Sequence, residues 1–323
     1  MALPASGAIS MGQVNTELTL SATAQISLND AEVRALFGVA SGPIKLSDGY
    51  GKASAPAAPG WTPSSRQLYV DESRMWYANP RICWNGSQFL LAVTDDAPDP
   101  EWPWWSGMTT QVTHILSSPN GVTWTEILSS APFAFDYASK ALCWTGSNYI
   151  ACANGGIWSS TNGVDWPQIA AYAPVTHLCW AGSQFVGFNY YSNNYYTSPD
   201  GVTWTHGGSF ADTPISLCYA AGAVVVFDRT TTAYTSTDGI SWTVLTTTAP
   251  LSASGVCWTG AYFYAVNDIG DAYRSLDGIT WATDATGVVE PGYIYSNDVC
   301  CGGAKLVAAG TYSSTAIRYS PNI

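Results

Sequence analysis

The motif Cys-Trp-x-Gly, or a degenerate form of it, recurs six times along this chain, and this repeat limits the fold more than any other feature. The repeated cysteines are Cys83, Cys143, Cys179, Cys218, Cys257 and Cys300. Between consecutive copies lies a second element, Ser-x-Asn/Asp-Gly-x-x-Trp, which ends at Trp124, Trp166, Trp204, Trp242 and Trp281. A period of about 40 residues with four short strand-like runs is typical of a β-propeller, in which each repeat is one blade.

The sixth repeat lacks its Trp-bearing strand, and a matching piece stands before the first repeat. The sequence breaks off this pattern at residues 319–323, whereas Trp61, in residues 59–62, fits the Gly-x-x-Trp-Thr half of the repeat. We therefore predict an all-β fold, a six-bladed β-propeller closed by strand exchange between the termini. The segment around Trp61 would supply the outer strand of the last blade, so that the ring has no free sheet edge.

The Asn-Gly and Asp-Gly pairs of the second element predict tight hairpins. They supply the positive φ values that such turns require, and the following tryptophan offers a large ring to pack between neighbouring blades. Over residues 59–323 this element resembles a one-residue-shorter version of the Asp box of sialidases and related propellers. In that family the box is a structural hairpin remote from the active site. The resemblance therefore implies the architecture and leaves the chemistry open.

Composition excludes several classes of function. The chain has 323 residues, is 47% hydrophobic and carries a net charge of -12, and it has no Lys/Arg run that could neutralise phosphates. We therefore expect a well-packed β protein that does not bind nucleic acid. The repeated cysteines occupy equivalent positions in different blades, too far apart to form disulfides, and no CxxC pattern occurs. We expect small buried free thiols, no cofactor, no metal site and no membrane insertion.

Residues 1–53 form a different module. We predict a small docking domain at 1–53, a linker at 54–59 and the propeller at 60–323. Within the docking domain, Asn29 or Asp30 can cap a short helix that Gly38 ends.

This first segment resembles the short N-terminal module of tail-associated and other structural proteins of tailed bacteriophages. The matching stretches are residues 6–11, 24–34 and 47–52. The resemblance implies a virion protein, made in the host cytoplasm, that docks to other virion (tail) proteins through residues 1–53. It leaves open the position on the virion and whether the chain forms a homo-oligomer.

The candidate binding residues lie on one predicted face of the propeller. If each inner strand runs downward, the turns after Cys-Trp and the Asn/Asp-Gly hairpins, which have a regular length, lie on the bottom face. The loops that vary in length then lie on the top face, including an insertion at residues 94–111. Aromatic rings there could stack on sugars or fill a protein pocket, and carboxylates could accept from hydroxyls. The receptor or glycan candidates are Trp102, Trp104, Trp105, Asp95, Asp96, Asp99, Glu101, Trp76, Tyr77, Tyr137 and Tyr293. The alternative is that the tryptophans seal the insertion onto the propeller. The lesser candidates are Trp76, Tyr77, residues 133–137, Tyr190, Tyr191, Tyr195, Tyr196 and residues 293–295.

We expect no enzyme activity. His114, His177 and His206 are isolated along the sequence, and no pair of carboxylates stands at a spacing that marks glycoside hydrolysis. The first hypothesis is a phage tail fibre or tail-associated protein whose propeller binds a host-surface receptor, either a glycan or an outer-membrane protein. The first alternative is a decoration or tail-wall protein that binds other virion subunits. The second is a glycan-degrading hydrolase on a sialidase-like propeller, because Arg66, Arg74 and Arg81 fall near one blade junction.

Overall fold

The computed structural model of the 323-residue chain describes residues 62–63, 79–98, 109–135, 141–154, 156–248, 253–267, 269–285, 288, 298–311 and 315–320. The chain divides into two units, Met1–Ala58 and Pro59–Ile323, and every described residue belongs to the second. The predicted docking module, its helix, the linker and Trp61 lie outside the described residues.

The described part of the chain consists of 24 strands joined by turns and contains no helix, so it holds no helix that could cross a membrane. The first strand is β1 (Thr62–Pro63). Blade one is β2 (Asn79–Trp84), β3 (Phe89–Pro98), β4 (Thr109–Ser118) and β5 (Thr125–Ala131). Blade two is β6 (Ala141–Trp144), β7 (Tyr149–Ala153), β8 (Gly156–Ser160) and β9 (Gln168–Ala170). Blade three is β10 (His177–Trp180), β11 (Phe185–Phe188), β12 (Asn194–Ser198) and β13 (Thr205–Ser209).

The remaining strands continue the same order. Blade four is β14 (Pro214–Ala220), β15 (Ala223–Asp228), β16 (Thr232–Ser236) and β17 (Thr243–Thr246). Blade five is β18 (Ala253–Trp258), β19 (Phe263–Asn267), β20 (Ala272–Ser275) and β21 (Ala282–Ala285). The last strands are β22 (Asp298–Gly302), β23 (Lys305–Thr311) and β24 (Thr315–Ser320). All strand pairs within the sheets are antiparallel.

The blade count expected from the sequence is wrong. The structure has five blades that each consist of four consecutive strands. The other four-stranded sheet, which we call the closing sheet, has the order β1-β24-β23-β22 and draws its strands from distant parts of the chain. Its outer strand is only two residues long, with Thr62 opposite Tyr319 and Pro63 opposite Arg318. Since β24 and β1 are far apart in the chain, no Asn/Asp-Gly turn joins them, and the closing sheet does not repeat the pattern of the five blades.

The Ser-x-Asn/Asp-Gly-x-x-Trp element forms the hairpin between the third and fourth strands of each blade. In blade three, Ser198 Oγ accepts a hydrogen bond from Gly201 N at 2.8 Å, and Asp200 Oδ1 accepts from Val202 N at 2.8 Å and Thr203 N at 2.7 Å. Gly201 has a φ of +77°, which the turn needs and a larger residue resists. Trp204 Nε1 closes the turn by donating to Gly201 O at 3.0 Å.

The same tryptophans anchor the cores between blades, as the repeat predicts. In blade three, the ring of Phe185 lies 4.7 Å from that of Trp180 and 6.5 Å from that of Trp204. Blades one, two and five repeat this row of three aromatic rings with Phe89, Tyr149 and Phe263 at its centre. Each buried cluster joins residues of two neighbouring sheets, so the blades hold one another in place.

Candidate functional site

The inner strands of the five blades and of the closing sheet surround a central channel. These strands are β2, β6, β10, β14, β18 and β22, and each contacts the next, with β22 between β18 and β2. The channel has a volume of about 300 Å³ and is lined by residues of all of them. It is the one place in the described structure where side chains from every sheet converge.

The repeat register divides the channel wall into three layers. The repeated cysteines form a thiol layer, since each pairs with the equivalent residue of its second strand, for example Cys179 with Val186 and Cys218 with Val225. One residue later lies an aromatic layer of Trp84, Trp144, Trp180, Tyr219 and Trp258, in which Cys301 takes the sixth place. Two residues before each cysteine lies a third layer, made of Arg81, Ala141, His177, Ser216, Gly255 and Asp298. We call it the polar layer.

Cys83, Cys143 and Cys179 of the thiol layer are poor nucleophiles. All eight cysteines are free. Burial raises the pKa of Cys179 to about 12 and raises the pKa of Cys83 and Cys143 as well. A thiol with a raised pKa is protonated at neutral pH and is a poor nucleophile. These cysteines therefore serve mainly as small side chains at the blade junctions.

The polar layer places ionisable side chains deep in an apolar wall. Arg81 is 1% exposed, His177 2% and Ser216 5%. Burying such groups costs free energy unless partners are supplied, and packing alone would favour the apolar residues of the other repeats. These groups have partners: Arg81 donates to Pro80 O, His177 Nδ1 lies 2.9 Å from Thr176 Oγ1, and the Asp298 carboxylate accepts from Ile82 N at 3.0 Å and Val299 N at 2.9 Å. This layer is therefore the strongest candidate for a functional site.

Individual contacts orient two members of the polar layer. Thr176 Oγ1 donates to Phe188 O at 3.2 Å and lies 2.9 Å from His177 Nδ1, which fixes the orientation of the imidazole ring. Ser216 lines the channel, and its buried Oγ has no hydrogen-bond partner among the described residues. Gly255 serves a different purpose, since an added Cβ would lie 2.8 Å from Asp298 Cα. It allows β18 and β22 to approach closely.

A column of stacked side chains leads from the polar layer to the surface. The His177 ring stacks on Phe188 with centroids 4.4 Å apart and on Tyr190 at 6.4 Å. The guanidinium of Arg229 lies over the Tyr190 ring at 5.2 Å and donates to the Tyr190 hydroxyl. Tyr190 and Arg229 belong to the loops between the second and third strands of blades three and four. These loops lie at the edge where the inner strands begin, which we call the top face.

The top face also carries exposed residues beside this column. Tyr191 is 61% exposed and contacts Tyr190 edge to face, with centroids 5.4 Å apart. The Asn/Asp-Gly turns lie at the opposite edge, the bottom face, where Gln184 Nε2 of blade three donates to Asp238 O of blade four at 2.8 Å. The column and the polar layer together make one continuous candidate site that spans the junction of blades three and four.

Few of the residues predicted to bind a receptor lie in the described structure. Asp95 and Asp96 belong to β3, where they pair with Val112 and Gln111 of β4. The pairing of β3 with β4 thus continues to Pro98 and Thr109. Both ends of the insertion are strands, whereas a loop is expected from the sequence. The backbone of a long hairpin satisfies its own hydrogen bonds, which favours this extension. Trp102, Trp104, Trp105, Asp99, Glu101, Trp76, Tyr77, Tyr137 and Tyr293 lie outside the described residues.

Sequence reasoning missed the polar layer, although the signal was present. The residue two positions before each repeated cysteine is Arg, Ala, His, Ser, Gly or Asp, whereas the residue directly before it is always aliphatic. Four of these six residues are polar, although the position faces inward. Polar residues that differ from repeat to repeat at such a position indicate a role in binding. The sequence alone shows His177 and Arg81 as separate residues. The pairing of each inner strand with its second strand is needed to place them at one level of the channel.

The described carboxylates mostly have structural partners. Asp200, Asp238 and Asp277 cap the hairpins, and Asp228 caps the turn at Thr230. Asp284 pairs with Arg274 at 3.2 Å, and Glu126 lies 2.9 Å from His114 Nδ1. Hydrolysis of a glycoside needs two carboxyl groups that flank the bond. The described residues present no metal-binding group of three or more His, Cys, Asp or Glu side chains.

The fold therefore defines the chain as a β-propeller protein. A family model described as "DUF6242 beta propeller domain" matches residues 103–221, which is more than a third of the chain. No curated protein sequence matches this chain.

Solved structures show the same architecture. "YCF48 bound to D1 peptide" is 12% identical with a TM-score of 0.50, over 84% of this chain and 99% of that one. The GH93 alpha-L-arabinofuranosidase of Fusarium graminearum, in complex with arabinobiose, is 13% identical with a TM-score of 0.50, over 81% and 96%. A subtype N11 neuraminidase-like protein of A/flat-faced bat/Peru/033/2010 is 10% identical with a TM-score of 0.46, over 83% and 96%. The first two of these, a protein bound to a peptide and an arabinofuranosidase, show the fold alone at such identities.

Proposed function

We propose that this protein is a binding protein without enzyme activity, and that its propeller takes a ligand at the top face of blades three and four, above the polar layer. The observation that carries the proposal is the buried polar layer at one level of the channel. His177 and Ser216 line the channel, and Arg81 is buried at the same level. Ser216 Oγ is buried without a hydrogen-bond partner among the described residues, which supports a ligand in the channel that it contacts.

The stacked column gives this site a surface. Tyr190 and Tyr191 present aromatic rings and Arg229 a cation, which together suit a sugar ring or a protein side chain with a negative or polar group. The partner of the described carboxylates is in most cases the backbone or a neighbouring cation, and this supports binding over hydrolysis.

The biological setting rests on the resemblance of residues 1–53 to phage virion modules. In this proposal the chain is a virion protein, made in the host cytoplasm, whose first residues dock to other virion proteins and whose propeller binds a host-surface glycan or outer-membrane protein. The alternative is a structural protein whose top face binds neighbouring virion subunits. A glycan-degrading hydrolase is the second alternative, and the Fusarium enzyme shows that a propeller of this kind can hold one.

A binding experiment with surface variants tests the proposal. The full chain, labelled with a fluorophore, would be applied to bacterial cells and to an array of bacterial surface glycans, together with Tyr191→Ala and Arg229→Ala. The matched control is Leu276→Ala, because Leu276 is as exposed as Tyr191, at 61%, but lies in a bottom-face turn. We expect the two top-face variants to lose about tenfold in affinity, since a central aromatic or arginine contributes about 1–2 kcal/mol.

The outcomes separate the hypotheses. Equal binding by all four proteins would refute a top-face site at blades three and four. Binding to no cell or glycan, with binding to purified virion particles that lack this chain, would favour the structural alternative. Release of reducing ends from surface polysaccharide would establish the hydrolase.

A further inference from the structure

The closing sheet departs from the repeat at one position of the channel wall, and the departure brings two thiols together. In every other inner strand the residue after the repeated cysteine is aromatic, whereas in β22 it is Cys301. This side chain packs into the cluster between blade five and the closing sheet, which also contains Cys257 of β18. Strands β18 and β22 are direct neighbours in the ring.

The two thiols are close neighbours in the wall of the channel. Cys301 Sγ donates to Trp258 O at 2.7 Å, so it lies beside the residue that follows Cys257 in β18. At two equivalent junctions the repeated cysteine meets the backbone of the aromatic residue of the next sheet, as Cys300 does with Trp84 and Cys143 with Trp180. The pair is thus particular to the junction that joins blade five to the closing sheet.

We propose that Cys257 and Cys301 form a modification site that low-molecular-weight disulfides convert to an intramolecular disulfide. Both thiols line the channel, and Cys301 is half-buried whereas Cys257 is buried, so a small disulfide reaches Cys301 first. Cys300 is adjacent in sequence but belongs to the other junction, where it packs against blade one.

The reaction is a thiol–disulfide exchange in two steps. The Cys301 thiolate attacks one sulfur of the small disulfide, which forms a mixed disulfide on Cys301 and releases one thiolate. Cys257 gives its proton to that leaving thiolate and attacks the Cys301 sulfur, which forms the Cys257–Cys301 bond and releases the second small thiolate. That thiolate takes up from water the proton that Cys301 lost when it ionised. Two protein thiols are oxidised and one small disulfide is reduced to two thiols.

The electrostatics of the pair agree with these roles. The hydrogen bond from Cys257 lowers the pKa of Cys301, whereas the same contact, together with burial, raises the pKa of Cys257. Cys301 is therefore the thiol that ionises first and attacks the small disulfide.

Peptide mapping of the full chain tests the proposal. The chain would be treated with glutathione disulfide, alkylated under denaturing conditions and cut with trypsin, which separates Cys257 (residues 230–274) from Cys300 and Cys301 (residues 275–305). We expect one linked pair of these two peptides and a loss of two of the eight thiols. The crosslink should also raise the thermal midpoint, because it restricts the unfolded chain.

Variants assign the bond. Cys300→Ser and the matched control Cys179→Ser should keep the linked peptides, whereas Cys301→Ser and Cys257→Ser should lose them. Circular dichroism of each variant confirms that it is folded. The absence of linked peptides in the wild-type chain, which needs no variant, overturns the proposal. Linked peptides that persist in Cys301→Ser overturn it as well, because they would join Cys257 to Cys300.

Discussion

The serine of the repeated hairpin makes a predictable contribution to the free energy of unfolding, and the substitution Ser198→Ala measures it. Ser198 is fully buried, and its Oγ accepts from Gly201 N at 2.8 Å and donates to Asp200 Oδ1 at 3.1 Å. The alanine leaves the buried Gly201 N–H without an acceptor and removes one donor from the Asp200 carboxylate. An unsatisfied buried N–H costs about 1–3 kcal/mol, so we expect a loss of about 2 kcal/mol in the free energy of unfolding.

A second hydroxyl in the same turn provides the control. Thr203 Oγ1 donates to Asp200 Oδ2 at 3.2 Å but is exposed. Water replaces this bond in Thr203→Ala, so the change should stay within about 0.5 kcal/mol. Urea unfolding of the full chain, followed by circular dichroism, measures both variants; for a domain of this size about 2 kcal/mol corresponds to a fall of roughly 4–8 °C in the thermal midpoint. If Ser198→Ala and Thr203→Ala cost the same, burial does not decide the strength of this turn.

Two further predictions concern acid and close packing. Hydrogen bonds from Thr203 N and Val202 N lower the pKa of Asp200 below its ordinary 3.8, so its contribution is present above that value and is lost as the pH falls through the folded pKa. Asp200→Asn should therefore be less stable than the wild type near neutral pH, and the difference should shrink as the pH falls; a difference that stays the same at all pH values would contradict this. Gly302→Ala would place a Cβ 2.2 Å from Trp84 Cδ2, so we expect a loss of about 1–3 kcal/mol from overpacking in the same urea assay. Gly86→Ala, whose Cβ would meet nothing within 4 Å, should cost only the strain of its φ of +97°, and a larger loss there than at Gly302 would refute the packing argument.

The local parts of this fold were predictable because each turn is written in adjacent residues. Ser198, Asp200, Gly201 and Trp204 lie within one hairpin, and the spacing alone predicts their hydrogen bonds. The blade count failed at the closing sheet, where the outer strand is reduced to Thr62 and Pro63 and no local turn defines the pairing.

The candidate site was less predictable, because it depends on register between distant strands. Arg81, His177 and Ser216 share a level only after each inner strand is aligned by its pairing with the second strand. The aromatic insertion was predicted as the binding site because it is the longest irregular segment of the propeller. The polar layer, by contrast, differs from a regular repeat at only one position in each inner strand. Of the lesser candidates, Tyr190 lies in the column that the structure assembles and Tyr191 lies beside it.

The composition of the closing sheet has a consequence for the order of folding during synthesis. Each of the five blades pairs strands that are near neighbours in the chain, so its hairpins can form as soon as they leave the ribosome. Thr62 must wait for Tyr319, more than 250 residues later, and closing so long a loop costs about 3 kcal/mol more entropy than closing a ten-residue hairpin. The nascent chain would therefore carry an open arc of blades with exposed edges, and joining its two ends would be the last and slowest step of folding.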